Sequence, residues 1–235
     1  MSILLKVENV HTHIGQYHIL QGVSFEAKAG EVSVLLGRNG AGKTTTLKTI
    51  MGLTPATSGQ IIFDNKSIIK TQTHHIATGG IGYVPEDQGI FGALTVEENI
   101  KVAIRKEDDA AVARLEYVLE LFPDLKKYWK KDGGHLSGGQ KQMLSMARAF
   151  VNESKLLLID EPSKGLAPVV IEKVMEAINE MKKQTTIILV EQNFMMASKI
   201  GDTYTLIDDG ETVQSGLMQE LIENEELKRK YLGIG

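Results

Sequence analysis

The sequence of 235 residues predicts an α/β fold with a mostly parallel sheet, antiparallel β structure beside it and a helical segment inserted between core strands. Three observations predict this. Compact apolar runs, Val32-Ser33-Val34-Leu35-Leu36, Leu156-Leu157-Leu158-Ile159 and Thr185–Val190, read as strands buried on both faces, the mark of a parallel sheet. Leu5–Val10 and Gly22–Ala27 instead carry apolar/polar alternation, the mark of a strand with one wet face. From about Leu94 to Phe150 the apolar residues change to helical spacing.

In order, Leu5–Val10 and Gly22–Ala27 alternate and read as strands, with Ala29-Gly30 as a turn before the run Val32–Leu36. Thr46–Met51 reads as the start of a helix, Pro55–Gly59 as a loop and Gln60–Asn65 as a short strand. Ile81–Val84 is a buried strand stopped by Pro85. Val112, Leu115, Val118/Leu119 and Phe122 give one apolar helix face, read as core. Ser137 reads as an N-cap for a helix whose apolar face runs through Met143, Met146, Ala147 and Phe150. Val169–Lys182 reads as a helix, and the tail after Gly210 as a short strand followed by one charged helix, Gln219–Tyr231.

Composition narrows the function classes. A hydrophobic share of 42% with 24% charged residues is globular. The net charge of −4 gives no electrostatic reason to expect nucleic acid or anionic lipid as the main partner. No apolar run approaches the roughly 20 residues that span a bilayer. The opening MSILLKVENV breaks into alternation at once and offers no secretory apolar core. With no cysteine, disulfides and thiolate metal sites are excluded, which fits a reducing compartment. His11/His13 and His74-His75 lie at strand edges or in loops without grouped carboxylates and read as surface histidines.

Three motifs carry chemistry. Gly37-Arg38-Asn39-Gly40-Ala41-Gly42-Lys43-Thr44-Thr45 fits G-x-x-x-x-G-K-[ST], after a strand and before a helix. Its glycines let backbone N–H groups converge on phosphate, and Lys43 brings a cation to the β- and γ-phosphates. The Thr44 hydroxyl is placed for Mg²⁺ and Thr45 for a phosphate nearer the nucleoside. The strand Leu156–Ile159 ends in Asp160, expected to hold the Mg²⁺ shell, and Glu161, expected to polarise the water that attacks the γ-phosphorus. Leu136-Ser137-Gly138-Gly139-Gln140 is a helix start with a serine hydroxyl and bare amides, an anion site. It cannot enclose the phosphates the first loop already holds, so it is read as closing on nucleotide held by another subunit.

The order GRNGAGKTT, LSGGQ, LLLIDEP resembles the ATP-binding subunit of ABC transporters over essentially the whole chain. The resemblance implies a P-loop NTPase core with an antiparallel β subdomain and an inserted helical subdomain, here one domain over 1–235 with residues 92–150 as the signature-bearing helical part. It implies ATP and Mg²⁺ as ligands. It also implies a head-to-tail dimer with a second ATPase subunit, paralogue or self, sandwiching nucleotide between one loop and the other signature. Transmembrane permease subunits would then hold the dimer at the cytoplasmic face of the membrane, with a solute-binding protein acting indirectly. Val84-Pro85-Glu86, Leu94–Asn99, Glu161–Pro168, Val190–Asn193 and Tyr231-Leu232-Gly233 resemble the ATPases of branched-chain, hydrophobic amino-acid importers.

Four positions depart from the broad family pattern. Glu86 stands where the family usually has a Gln that meets Mg²⁺; a carboxylate still offers oxygen, and Gln88 is the second choice. Gln192 stands where it usually has the His pinned on the γ-phosphate; an amide donates but holds no positive charge. Ala167 replaces the usual Asp and removes a cross-dimer acceptor. Ile14 occupies the adenine-stacking position, with Tyr17 the nearest aromatic. The expectation is a chain that binds nucleotide well and depends on a partner for full activity. Exporter or lipid-flippase ATPase, and non-catalytic regulatory subunit, are the alternative readings. Soluble DNA-repair and translation ATPases fit worse, because the chain has no long coiled-coil insertion, no cysteine pair and only one such domain.

Overall fold

The computed structural model describes residues 2–106 and 108–234. The first two strands, β1 (Ile3–Ile14) and β2 (Tyr17–Lys28), form a long antiparallel hairpin. Leu5 and Val7 face the core, then Val10 and Thr12, so the inward phase slips by one residue in β1. The slip falls where Asn9 adopts φ 46 and the register with both neighbours shifts, a bulge that re-aims the second half of the strand. β3 (Val32–Leu36) leads through the phosphate loop to α1 (Lys43–Ile50). β4 (Ser58–Phe63) and β5 (Lys66–Ser67) follow. The expected strand at 60–65 stops at Phe63 because Asp64 and Asn65 both take left-handed φ and make the turn to β5.

Next come α2 (Thr73–Thr78), β6 (Ile81–Val84), α3 (Val96–Ala103), α4 (Asp109–Leu121), α5 (Pro123–Lys127) and α6 (Gly138–Phe150). The core then returns with β7 (Leu156–Asp160), α7 (Pro168–Lys182), β8 (Thr186–Val190), α8 (Phe194–Ile200), β9 (Thr203–Asp208) and β10 (Glu211–Leu217). The chain finishes with α9 (Met218–Glu223), α10 (Glu225–Leu227) and a wider turn of helix over Lys228–Leu232. The single tail helix expected from Gln219 is therefore broken. The break is at Asn224, whose side chain leaves the helix to accept from the Leu227 N–H at 3.0 Å and so caps the next one.

Two sheets result. One has the order β2-β1-β4-β5 and is antiparallel; the other has the order β10-β9-β3-β8-β7-β6, parallel except for β10 at its edge. β3 sits between β8 and β9, so the loop leaving its C-terminal end opens at the middle of the sheet, where α/β proteins bind ligands. Every residue of β3, β7 and β8 is buried, as expected for central strands. The two sheets are tied by Gln21 N–H donating to Gly210 O at 2.7 Å and Ser24 N–H to the Thr212 hydroxyl at 3.0 Å.

Helices α3 to α6 pack their apolar faces into one core with the sheet residues Val84, Leu157 and Ile159. Val118 and Phe122 are buried there and Leu115 packs against them. Val112 is 58% exposed and belongs to the outer face, because the buried stripe of this short helix runs through 115, 118 and 122 and leaves its first turn free. Met143, Met146, Ala147 and Phe150 are all buried along α6. Among the described residues no helix is long and apolar enough to cross a membrane.

Candidate active site

The phosphate loop leaves β3 at Gly37. A Cβ there would stand 2.1 Å from the Ile207 carbonyl oxygen of β9, and φ is +151, so only glycine passes between the strands. The loop is closed by Ala41 N–H on Arg38 O at 3.2 Å and Gly210 N–H on Ala41 O at 3.0 Å. Helix α1 starts at Lys43 with no side-chain cap, which leaves its first-turn N–H groups open toward the loop. Lys43 is 4% exposed and its Nζ donates to Gly37 O at 2.9 Å and Arg38 O at 3.1 Å. Burial pulls its pKa below the ordinary lysine value, and the carboxylates of Glu161 and Asp160 resist that pull. The Arg38 guanidinium turns outward and donates to Lys230 O at 3.1 Å.

Strand β7 brings Asp160 beside this loop. The Thr44 hydroxyl donates to Asp160 Oδ1 at 3.0 Å, and the Tyr83 hydroxyl donates to Oδ2 at 3.4 Å. Asp160 is wholly buried, and burial pushes its pKa up to about 6 against the hydrogen bond from Thr44. Burial and the nearby Asp160 charge raise the Tyr83 phenol as well. Glu161, the next residue, takes φ +44, a left-handed conformation uncommon for glutamate; Glu161 N–H bonds to Val190 O at 2.9 Å and fixes it. Its carboxylate lies 3.9 Å from Lys43 Nζ through Oε1 and 3.7 Å from Lys164 Nζ through Oε2.

Gln192 closes the other side. Its Nε2 donates to Glu161 Oε1 at 2.7 Å and also to Asn39 Oδ1, joining the phosphate loop to the expected base. The preceding Glu191 is 1% exposed and accepts from Ser163 N–H at 3.0 Å, the Ser163 hydroxyl at 2.9 Å, Gln192 N–H at 3.1 Å and Asn193 N–H at 3.0 Å. This buried carboxylate clamps the turn after β7 to the turn after β8. Burial raises its pKa, and the four hydrogen bonds oppose that.

Thr44, Asp160 and Glu86 line one cleft, with Tyr83, Lys48 and Lys164 around them. A hydroxyl and two carboxylates are hard oxygen donors and suit Mg²⁺. Among the described residues no group of three or more His, Asp or Glu encloses a metal by itself, so phosphate oxygens would have to complete the shell. Glu86 is held by an ion pair with Lys164. Gln88 points elsewhere: its Nε2 donates to Gly138 O at 3.4 Å and it is not among the residues lining the cleft.

The signature segment forms a reciprocal cap on α6: Gln140 N–H donates to the Ser137 hydroxyl at 3.3 Å, and Ser137 N–H to Gln140 Oε1 at 3.0 Å. A Cβ on Gly139 would fall 2.5 Å from Val170 Cγ1 of α7, so the segment is pressed against the helix that follows the β7 turn. The pocket over the phosphate loop is lined by Asn39, Gly40, Gly42, Lys43, Thr44 and Thr45 with Ile19, Glu86, Glu161 and Lys164, and by nothing from residues 136–140. Loop and signature of one chain therefore do not share a cavity.

A sequence profile described as ABC transporter matches residues 20–164, which spans the loop, the signature and the Asp160-Glu161 pair. The chain belongs to the ABC transporter ATP-binding family. It is an ABC ATPase. It is 38% identical over 233 residues to the high-affinity branched-chain amino acid transport ATP-binding protein BraG of Pseudomonas aeruginosa, covering 98% of this chain and 100% of BraG. It is 31% identical to the lipopolysaccharide export system ATP-binding protein LptB of Escherichia coli, covering 92% of this chain and 91% of LptB. Among solved structures, a nucleotide-free ATP-binding cassette from an ABC transporter superposes with a TM-score of 0.86 at 23% identity and complete coverage of both chains, a likeness of fold.

In this ABC ATPase the residues expected on the adenine side lie at the tip of the β1–β2 hairpin. Ile14 and Tyr17 face each other across the hairpin tip, 47% and 66% exposed. The apolar residue lining the pocket over the loop is Ile19, two positions further along β2. The signal that could have found it is the alternation of β2 itself, which sends Leu20 into the core against Gly42 and leaves Ile19 on the opposite face. Glu191, Tyr83 and Lys164 were also not singled out as site residues. Each meets the site through a partner distant in sequence, Glu191 through Ser163, Tyr83 through Asp160 and Lys164 through Glu86.

Proposed function

We propose that this chain is the energy-coupling ATPase subunit of an ABC importer for branched-chain or other hydrophobic amino acids. The observation that carries this is the end-to-end likeness to BraG together with the complete hydrolytic set Lys43, Thr44, Asp160 and Glu161. In this reading ATP bound on the phosphate loop draws a second subunit's Ser137–Gln140 segment, or that of a paralogue, over the γ-phosphate. The separation of loop and signature within one chain supports such a head-to-tail dimer. Thr44, Asp160 and Glu86 would hold Mg²⁺, which neutralises charge on the β- and γ-oxygens. Glu161 orients the attacking water and Gln192 orients Glu161. Permease subunits would hold the dimer at the cytoplasmic face of the membrane.

The regulatory reading without catalysis is disfavoured because Lys43 and Glu161 face each other across the cleft. The exporter reading rests on the likeness to LptB, which is lower in identity and coverage than that to BraG. The deciding experiment is to purify the chain from its native membrane with a mild tag and identify the copurifying membrane proteins. Recovery with a paralogous ATPase and importer-type permeases, and ATP-dependent uptake of leucine, isoleucine or valine by the reconstituted complex, is expected. Recovery with an export permease alone would overturn the import reading.

A further inference from the structure

The nucleotide cleft carries an unusual surplus of carboxylates. Glu86, Asp87 and Asp160 line the part beside Thr44, and Glu161 stands over the phosphate loop. Nucleotide phosphates must approach all of them. The cations set against them are Lys43, which is committed to the loop carbonyls, Lys48 at the rim, and Lys164. Lys164 is the one of the three that touches two of the carboxylates at once: its Nζ pairs with Glu86 and lies 3.7 Å from Glu161 Oε2. It sits in the tight turn after β7, three residues past Glu161, where Lys164 N–H bonds to Glu161 O at 3.2 Å and fixes the stem of the side chain.

We propose that Lys164 is a positioning residue that makes a glutamate at position 86 compatible with nucleotide binding. Neutral glutamine at 86 would need no such partner. With Glu86 the cleft gains one negative charge next to Glu161, and Lys164 cancels it by pairing with the Glu86 carboxylate where it stands beside Thr44 and Asp160. The inference rests on the ATPase reading of the cleft and adds to it the pairing between these two side chains. A charge that is 60% exposed contributes little as an isolated surface pair. Its effect here comes from acting on a tetra-anionic ligand that shares the cleft, where every uncompensated carboxylate repels the phosphates.

The test is equilibrium binding of a fluorescent ATP analogue to the full chain, first in EDTA and then across a Mg²⁺ titration. Four proteins are compared: wild type, Lys164→Met, Glu86→Gln and the double variant. In EDTA, Lys164→Met is expected to weaken binding about five-fold in the Glu86 chain and less than about two-fold in the Glu86→Gln chain. The Mg²⁺ midpoint should fall in Lys164→Met, because the unpaired Glu86 carboxylate attracts the metal more strongly, and should rise to the wild-type value or above in the double variant, which lacks that carboxylate. Lys164→Arg should behave as wild type, and thermal melting of each protein reports folding independently. Equal factors in both backgrounds, or no effect in either, overturn the pairing. Because binding is read without turnover, loss of the pairing and loss of the transport reading are separable: a chain that binds the analogue but never couples to a permease fails only the latter.

Discussion

Gln192 Nε2 donates to Glu161 Oε1 at 2.7 Å, so an amide from the turn after β8 holds the carboxylate at the end of β7 against the phosphate loop. The bond uses one carboxylate oxygen and leaves Oε2 toward Lys164. A neutral amide orients the Glu161 carboxylate without lending it charge. This makes separable demands on binding and on chemistry.

Glu161→Gln removes the carboxylate that the proposed mechanism assigns to the attacking water and keeps the shape and the acceptor for Gln192. ATP turnover should fall by about 100-fold or more with analogue affinity within about two-fold. Steady-state turnover beside equilibrium binding checks this. A variant that keeps a tenth of the activity would place the base elsewhere.

Gln192→Ala should lower kcat about ten-fold and leave KM for ATP nearly unchanged, because it frees Glu161 to rotate without touching the phosphates. Gln192→His should leave binding intact. A large gain in kcat from that histidine would show that the amide limits the chemistry of this site.

Glu191→Leu leaves the N–H groups of Ser163, Gln192 and Asn193 and the Ser163 hydroxyl buried without their acceptor. The expected loss of stability is on the order of 3–5 kcal/mol, read by urea denaturation, with Glu191→Gln losing less because one oxygen remains.

Asp160 gives a pH signature in nucleotide-free, Mg²⁺-free protein. Its folded pKa of about 6 stands above the unfolded value of 3.8, so the folded state holds the proton more tightly. Its contribution to stability is therefore present below pH 3.8 and is lost as pH rises through about 6. At pH 8 the ionised, buried group costs roughly 2–3 kcal/mol. Asp160→Asn keeps the Thr44 acceptor and should raise the urea midpoint at pH 8, with the gain shrinking toward pH 5. The same variant should lose the Mg²⁺ dependence of nucleotide binding. A midpoint shift that is equal at both pH values would remove the buried-charge explanation.

Much of this was legible in the chain because the chemistry is local. The loop at 37–45, the N-cap Ser137 at the head of the 136–140 segment and the strand ending in Asp160-Glu161 are each contained in a few consecutive residues, and their flanking apolar runs give the elements. What was not legible depends on which turns meet. Ile19 lines the pocket because the hairpin passes over the loop, whereas Ile14 and Tyr17 end at its tip. Lys164 and Glu86 pair across 78 positions, and Glu191 reaches Ser163 across 28. The tail broke at Asn224 because a side-chain cap competes with a helix pattern that charge alone could not interrupt. Position 112 is apolar and in phase, yet Val112 is 58% exposed, one turn ahead of the buried stripe of α4.

The proposed function couples ATP hydrolysis to movement of a hydrophobic amino acid. The most direct measurement is ATP turnover by the complex reconstituted in liposomes, with and without amino-acid-loaded binding protein, beside turnover by the chain alone. The account predicts a low rate for the lone chain, a rise of about ten-fold or more on assembly and loading, and loss of that rise with Glu161→Gln. A lone chain that already turns over at the rate of the loaded complex, or a complex indifferent to the amino acid, would contradict it.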